Sequence, residues 1–259
     1  MGLGWDISYD GWVTYLGYTW LQSSESIGTG LLSGTSKGIE PLWLPDPGAG
    51  GDGPPSIKVT GFNSSCKMKY NIIDLDFFRP SYFSRHFILT PVFSFRGGWI
   101  TQQVKIDYNV IYAAGNAGIL GVRSYQRSAL IGPKAGFKGN LLLGQGVRFD
   151  GKASIALLYE ELTTKMIRQS YNTPGALSTN VKNKERFFSP YIDLSLGFGW
   201  GSFFHNKKWY LDTSLVYDIQ YYWNENNMRH IKDDFDQRVY TTSEPLILHG
   251  ITLTLRIDL

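Results

Sequence analysis

PLILHGITLTLRIDL, residues 245–259, alternates strictly between two faces. Ile247, His249, Ile251, Leu253, Leu255, Ile257 and Leu259 occupy one; Leu248, Gly250, Thr252, Thr254, Arg256 and Asp258 occupy the other. A period of two over this length is a β-strand with one apolar and one polar face. A soluble sandwich usually carries on past such a strand into a polar tail, whereas here Leu259 falls on the apolar face. That is the pattern of a closing strand in a membrane β-barrel, its apolar side turned to lipid.

Composition agrees. The 259 residues contain 16 Tyr, 15 Phe and 8 Trp, with 29 Gly, a mixture that favours aromatic-girdled β-structure with tight turns over helices. No run of about 18 apolar residues is present, so a helical membrane span is excluded. A net charge of +3 without a basic cluster gives no support to nucleic acid as a partner. The single cysteine, Cys66, forms no internal disulfide, and an isolated cysteine is an ordinary strand or loop residue far more often than a nucleophile.

Working outward from the closing strand, the alternation predicts eight more. They run over Gly2–Ser8, Gly11–Gln22, about Lys67–Phe77, Phe87 to about Lys105, a fifth around Ser128–Asn140, about Lys152–Thr163, about Phe188–Trp200 and Trp209–Trp223. The third holds its pattern with a bulge at Ile72 and Ile73, which sets Asp74 and Asp76 inward and Leu75 and Phe77 outward. Tyr9-Asp10-Gly11 and Gly144-Gln145-Gly146 are tight-turn signals. Connections alternate between short, near residues 9, 81, 145 and 206, and long, around 23–65, 107–124, 166–185 and 224–243. Outer-membrane barrels alternate short periplasmic turns with long extracellular loops in the same way. Trp5, Trp12, Trp200 and Trp209 fall beside the short turns, and Trp20, Trp99 and Trp223 toward the long loops, as two interfacial girdles require. The reading is therefore all-β: one antiparallel up-and-down transmembrane barrel spanning 1–259, nine strands visible and about ten in the intact protein. Strand parity expects an ascending strand before Met1. Met1–Asp6 lacks the basic and apolar regions of a secretory signal, so the expectation is a signal removed or lost upstream.

Asp74-Leu75-Asp76, the run Thr90 to Ile100 (TPVFSFRGGWI) and the terminal His249 to Leu259 (HGITLTLRIDL), with Gly2-Leu3-Gly4, Gly11-Trp12 and Tyr18-Thr19-Trp20, form a recognisable set. They resemble the Legionella-type pore-forming major outer membrane protein family, which also occurs in chlamydia-related bacteria. The resemblance touches nearly the whole chain through short motifs. It implies an outer-membrane barrel with porin-like or surface-structural work, and it supplies no active-site residues. Its members carry a signal peptide and a further amino-terminal segment, and the usual terminal Phe is Leu259 here.

Other constellations carry little. Gly48-Ala49-Gly50-Gly51-Asp52-Gly53 fits a dinucleotide-binding pattern, but Pro47 and Pro54-Pro55 flank it where a strand and a helix are needed, so it reads as loop. His86, His205, His230 and His249 lie on separate elements without metal-ligand spacing, and Asp233-Asp234-Phe235-Asp236 reads as a solvated acidic loop. No Ser–His pair can be placed for a barrel hydrolase. The expectation is a non-enzyme without cofactor or metal. The inward charges are more informative: Arg96, Lys134, Lys138, Lys152 and Arg256 share the lumen with Asp193, Asp212 and Asp218, and with Asp74, Glu160 and Asp258. In a water-filled pore such groups govern selectivity; in a narrow barrel they pair and plug it, and about ten strands is near the narrow limit. Inward Gly136, Gly197 and Gly199 are expected to widen the lumen. The expected function is a porin-like channel in the bacterial outer membrane with weak selectivity and low conductance. The runner-up is a non-conducting structural or adhesive barrel whose long loops bind partners, and the third reading is a soluble β-protein holding a hydrophobic ligand. Expected partners are outer-membrane lipid and the barrel assembly machinery acting on the carboxyl-terminal strand, with oligomerisation left open.

Overall fold

Alternation of period two along most of the chain leaves the backbone one way to satisfy its hydrogen bonds, which is to pair each strand with the next. The computed structural model describes residues 2–7, 11–28, 57–112, 117–170, 179–204, 209–226, 229–231, 239–241 and 244–258. The strands are β1 (Gly2–Ile7), β2 (Trp12–Gly28), β3 (Ile57–Phe78), β4 (Ser81–Tyr82), β5 (Phe87–Tyr112), β6 (Ala117–Gly144), β7 (Val147–Ser170), β8 (Thr179–Phe204), β9 (Trp209–Asn226), β10 (Arg229–Ile231), β11 (Val239–Thr241) and β12 (Glu244–Asp258). One ten-stranded antiparallel sheet runs in the order β1-β2-β3-β5-β6-β7-β8-β9-β12, with β4 attached to β5 alone. β10 and β11 pair as a separate hairpin. The architecture is the expected up-and-down barrel sheet, and its nine consecutive strands are those read from the alternation. Among the described residues no ladder joins β1 to β12, so the wall stands open between them.

The outward face is apolar. Phe87, Leu141, Phe149, Phe198, Leu215 and Leu253 follow one another from β5 to β12 as directly paired neighbours. Leu253 is 72 % exposed, and Phe93, Phe95, Ile131, Ile155, Phe188 and Leu196 are comparably open. Monomeric soluble proteins rarely leave so continuous an apolar surface facing water.

The strands are longer than the alternation suggested. β5 has 26 residues and β6 has 28, against about 9–11 needed to cross a bilayer. Strand structure covers 23–28, 57–65, 107–112, 117–124, 166–170 and 179–185, parts of the chain that composition assigned to loops. The reason is a swap of faces. On β5 the outward residues up to Trp99 are apolar, and from Thr101 on they are polar: Gln103, Lys105, Asp107, Asn109. The inward residues change in the opposite sense to Val104, Ile106, Tyr108 and Val110. With Val59, Leu120, Val122 and Met166 they form a buried apolar cluster. Above the lipid-facing band the wall is thus built like a water-soluble β-protein, and an apolar-outward template stops recognising it.

Two further expectations are corrected. No bulge lies at Ile72 and Ile73: both ladders of β3 run through in continuous register, and the irregularity is at Val59/Gly61. Tyr70 and Ile72 face inward together with Asp74 and Asp76, so the parity needed no correction. The inward glycines do not widen the lumen. A Cβ on Gly136 would lie 2.4 Å from the Ala153 carbonyl oxygen, and on Gly197 2.1 Å from that of Leu215. Gly132 and Gly98 meet their neighbours' backbones equally closely. These positions let adjacent strands fold sharply toward each other, the corner device of a tightly coiled sheet. The space at Gly199 is filled by the Arg148 guanidinium, 2.7 Å from such a Cβ.

Candidate functional site

The site is the barrel interior, which is stacked in layers. Nearest the short turns, Arg148 on β7 donates from Nη1 and Nη2 to the two carboxylate oxygens of Asp212 on β9, at 2.6 and 2.8 Å. Its Nε donates to Asp150 at 2.9 Å, and the Tyr210 hydroxyl donates to Asp212 at 3.2 Å. Asn140 adds a donor to Asp150. Such forked pairs fix geometry as well as charge.

The next layer gathers side chains from five strands. Arg96 on β5 grips Asp74 on β3 bidentately, both contacts at 2.8 Å. Lys134 on β6 donates to the same carboxylate at 2.9 Å and lies 3.7 Å from Asp76. The Ser94 hydroxyl donates to Asp76 at 2.6 Å, and Lys138 stands 4.0 Å from it, with its ammonium 4.7 Å from the Phe78 ring centre. Lys152 on β7 pairs with Asp193 on β8. Arg96, Lys134, Lys138 and Lys152 thus face Asp74, Asp76 and Asp193, four cations against three carboxylates. Arg96 is 3 % and Lys134 4 % exposed, and charges so far from water persist only when paired and hydrogen-bonded.

An aromatic layer packs above them. The Arg96 guanidinium lies 4.2 Å over the Tyr191 ring and donates to the Tyr222 hydroxyl at 3.1 Å. The Tyr222 and Tyr70 hydroxyls meet at 2.7 Å, and Tyr70 donates to Gln220 at 2.8 Å. Ile72, Ile100, Leu130, Ala156 and Leu158 pack on these rings, with Leu246 and Leu248 of β12 against the cluster. Beyond it, Ser128 donates to Glu160, Gln126 to the Glu225 carbonyl, and Ser189 to the Trp223 carbonyl.

The expected lumen residues fall as follows. Arg96, Lys134, Lys138, Lys152 and Asp193 come together in one layer, and Asp212 lies in the layer of Arg148. Asp218 accepts a hydrogen bond from Thr252 between β9 and β12, and Arg256 is paired in register with Asp212 at the exposed edge. Of the expected girdle, Trp5, Trp20, Trp99 and Trp209 are exposed and Trp12, Trp200 and Trp223 half-exposed. Trp12 and Trp20 share the face of Leu16, which pairs with the outward Leu75. Among the described residues no group of three or more potential metal ligands occurs.

Residues 6–259 match the family described as Legionella pneumophila major outer membrane protein precursor. The chain belongs to this major outer membrane protein family. Comparison with curated proteins and with solved structures found no match. Membership places it in the outer membrane and is consistent with a porin-like role. For a major outer membrane protein the interior residues least visible in the sequence are Arg148, Asp150, Tyr70, Tyr191 and Tyr222. The tyrosines look like girdle residues by composition. Parity was the available signal, since Tyr191 is two residues from Asp193 and Tyr70 four from Asp74.

Proposed function

We propose that this barrel is a narrow, weakly selective channel for small ions and solutes, and that the packed interior is its closed conformation. The observation that carries this reading is a nearly balanced set of interior charges inside an apolar wall, four cations against three carboxylates in one layer. Charged groups of both signs set a mixed field, which favours neither cations nor anions strongly. The chain supplies no chemistry of its own in this reading: it is not an enzyme and uses no cofactor. Its further partners are surrounding lipid and the assembly machinery that receives β12.

A second reading, a structural barrel that never conducts, has one observation in its favour. Ile72, Leu158 and Tyr191 have no exposed surface, so the aromatic layer is densely packed at these described residues. Single-channel recording in planar bilayers separates the two. The channel reading expects small, infrequent openings that become larger or more frequent in Tyr222→Ala. A silent bilayer with both proteins, each shown folded by heat-modifiable gel mobility, would leave the structural reading standing.

A further inference from the structure

The outward face just beyond the apolar band has an unusual charge pattern. Ile73, Gly97, Ile131, Tyr159 and Phe188 form one row across β3, β5, β6, β7 and β8. Two rows further toward the long loops lie Lys69, Thr101, Arg127, Thr163 and Lys184, and then Lys67, Gln103, Tyr125, Lys165 and Lys182. Neither of these rows contains an acid. The nearest outward carboxylate, Glu161, is already engaged by Lys184 at 2.6 Å and Arg186 at 2.9 Å. Among the described residues no ion pair occupies Arg127, Lys165 or Lys182.

Two features make this more than a solvated face. Lys165 and Lys182 are direct cross-strand partners on β7 and β8. Like charges in that position stand roughly 5 Å apart at Cβ and destabilise a sheet, so the pair is a cost unless an anion bridges it. Arg127, one row back on β6, brings a guanidinium suited to forked phosphate contacts. The second feature is position. A lipid whose chains cover Ile131, Leu157 and Phe188 holds its headgroup at the level where these cations begin.

We propose that Arg127, Lys165 and Lys182 form a cradle for the phosphate of an anionic outer-leaflet lipid, which anchors the barrel laterally. This rests on the outer-membrane barrel reading and is separable from it. The probes are diphosphoryl and monophosphoryl lipid A, titrated onto the refolded full chain in neutral detergent and read by native mass spectrometry. The triple variant Arg127→Gln, Lys165→Gln, Lys182→Gln should bind diphosphoryl lipid A about a hundredfold more weakly, since each cation near an anionic surface contributes roughly a factor of five. Arg127→Lys with Lys165→Arg and Lys182→Arg should keep most of the affinity. Lys165→Glu provides a readout of opposite signs: it removes the like-charge pair, so the melting temperature in lipid-free detergent rises while lipid binding falls. Equal binding by the triple variant overturns the cradle, as does equal binding of the two lipids. Displacement by inorganic phosphate at matched phosphate concentration makes it a free-anion site and overturns the lipid assignment. A chain that gives no heat-modifiable barrel in detergent overturns the membrane reading itself, and the cradle with it.

Discussion

Tyr70 on β3 and Tyr222 on β9, 152 positions apart in sequence, meet hydroxyl to hydroxyl at 2.7 Å across the barrel interior. Four strands, β5, β6, β7 and β8, separate β3 from β9 along the sheet, so this bond reports how tightly the sheet is coiled. It also anchors the aromatic layer packed in the interior. Removing the Tyr222 hydroxyl deprives buried Arg96 of an acceptor, whereas removing that of Tyr70 affects neutral partners only. Tyr222→Phe is expected to cost about 1–3 kcal/mol and Tyr70→Phe about 0.5–1.5 kcal/mol. The double variant should cost less than the sum, because both lose one shared bond. Urea unfolding in lipid vesicles measures all three, and a larger loss for Tyr70→Phe would contradict the assignment of Arg96 to Tyr222.

Asp74 holds two buried cations, Arg96 and Lys134, at once. Replacing it with Ala leaves both without their main partner, a change that typically costs about 3–5 kcal/mol. Asp193→Ala, which releases one cation, the more exposed Lys152, and a 3.4 Å hydrogen bond from Ser154, should cost less. The comparison is again made by unfolding midpoint, and equal loss at both sites would show that the Asp74 network is not the tighter one.

Lys138 is the most exposed cation of its layer, with Asp76 at 4.0 Å. If the layer lines the conducting path, Lys138→Glu should shift the reversal potential toward cations under a salt gradient. The shift should shrink at high salt, where screening shortens to roughly 3 Å at 1 M. Unchanged selectivity in a variant that conducts would place the path elsewhere.

Leu253 and Thr254 test the wall by parity. Leu253 pairs with outward Leu215 and Thr254 with inward-facing Ser214. Leu253→Arg should block insertion or cost about 2–4 kcal/mol, as for a cation near mid-membrane on the lipid face. Thr254→Arg should be far milder. Folding into vesicles measures both, and equal damage would remove the lipid-facing assignment.

Gly132 and Gly250 test the curvature. A Cβ on Gly132 would lie 2.1 Å from the Leu157 carbonyl oxygen, whereas one on Gly250 meets nothing within 4 Å. Gly132→Val should abolish the heat-modifiable barrel in detergent and Gly250→Val should keep it. A folded Gly132→Val barrel would mean that the sheet opens there without cost.

Local alternation by itself located the nine strands of the main path, their order and the outward face, and it set Arg96, Lys134, Lys138, Lys152, Asp193 and Asp212 on the opposite face; the short strands β4, β10 and β11 escaped it. Face assignment needs only a period of two, which each strand carries in its own residues. Only the tertiary structure decided which inward charges meet, because Arg148 with Asp212 and Tyr70 with Tyr222 are set by how the sheet coils. That coiling depends on glycines at 98, 132, 136 and 197 lying against neighbouring backbones, a relation between strands that no single strand encodes. The strand ends were also decided by the fold: beyond Trp99 the apolar residues turn inward, and an alternation of reversed polarity becomes a wall only once a facing sheet is there to bury it.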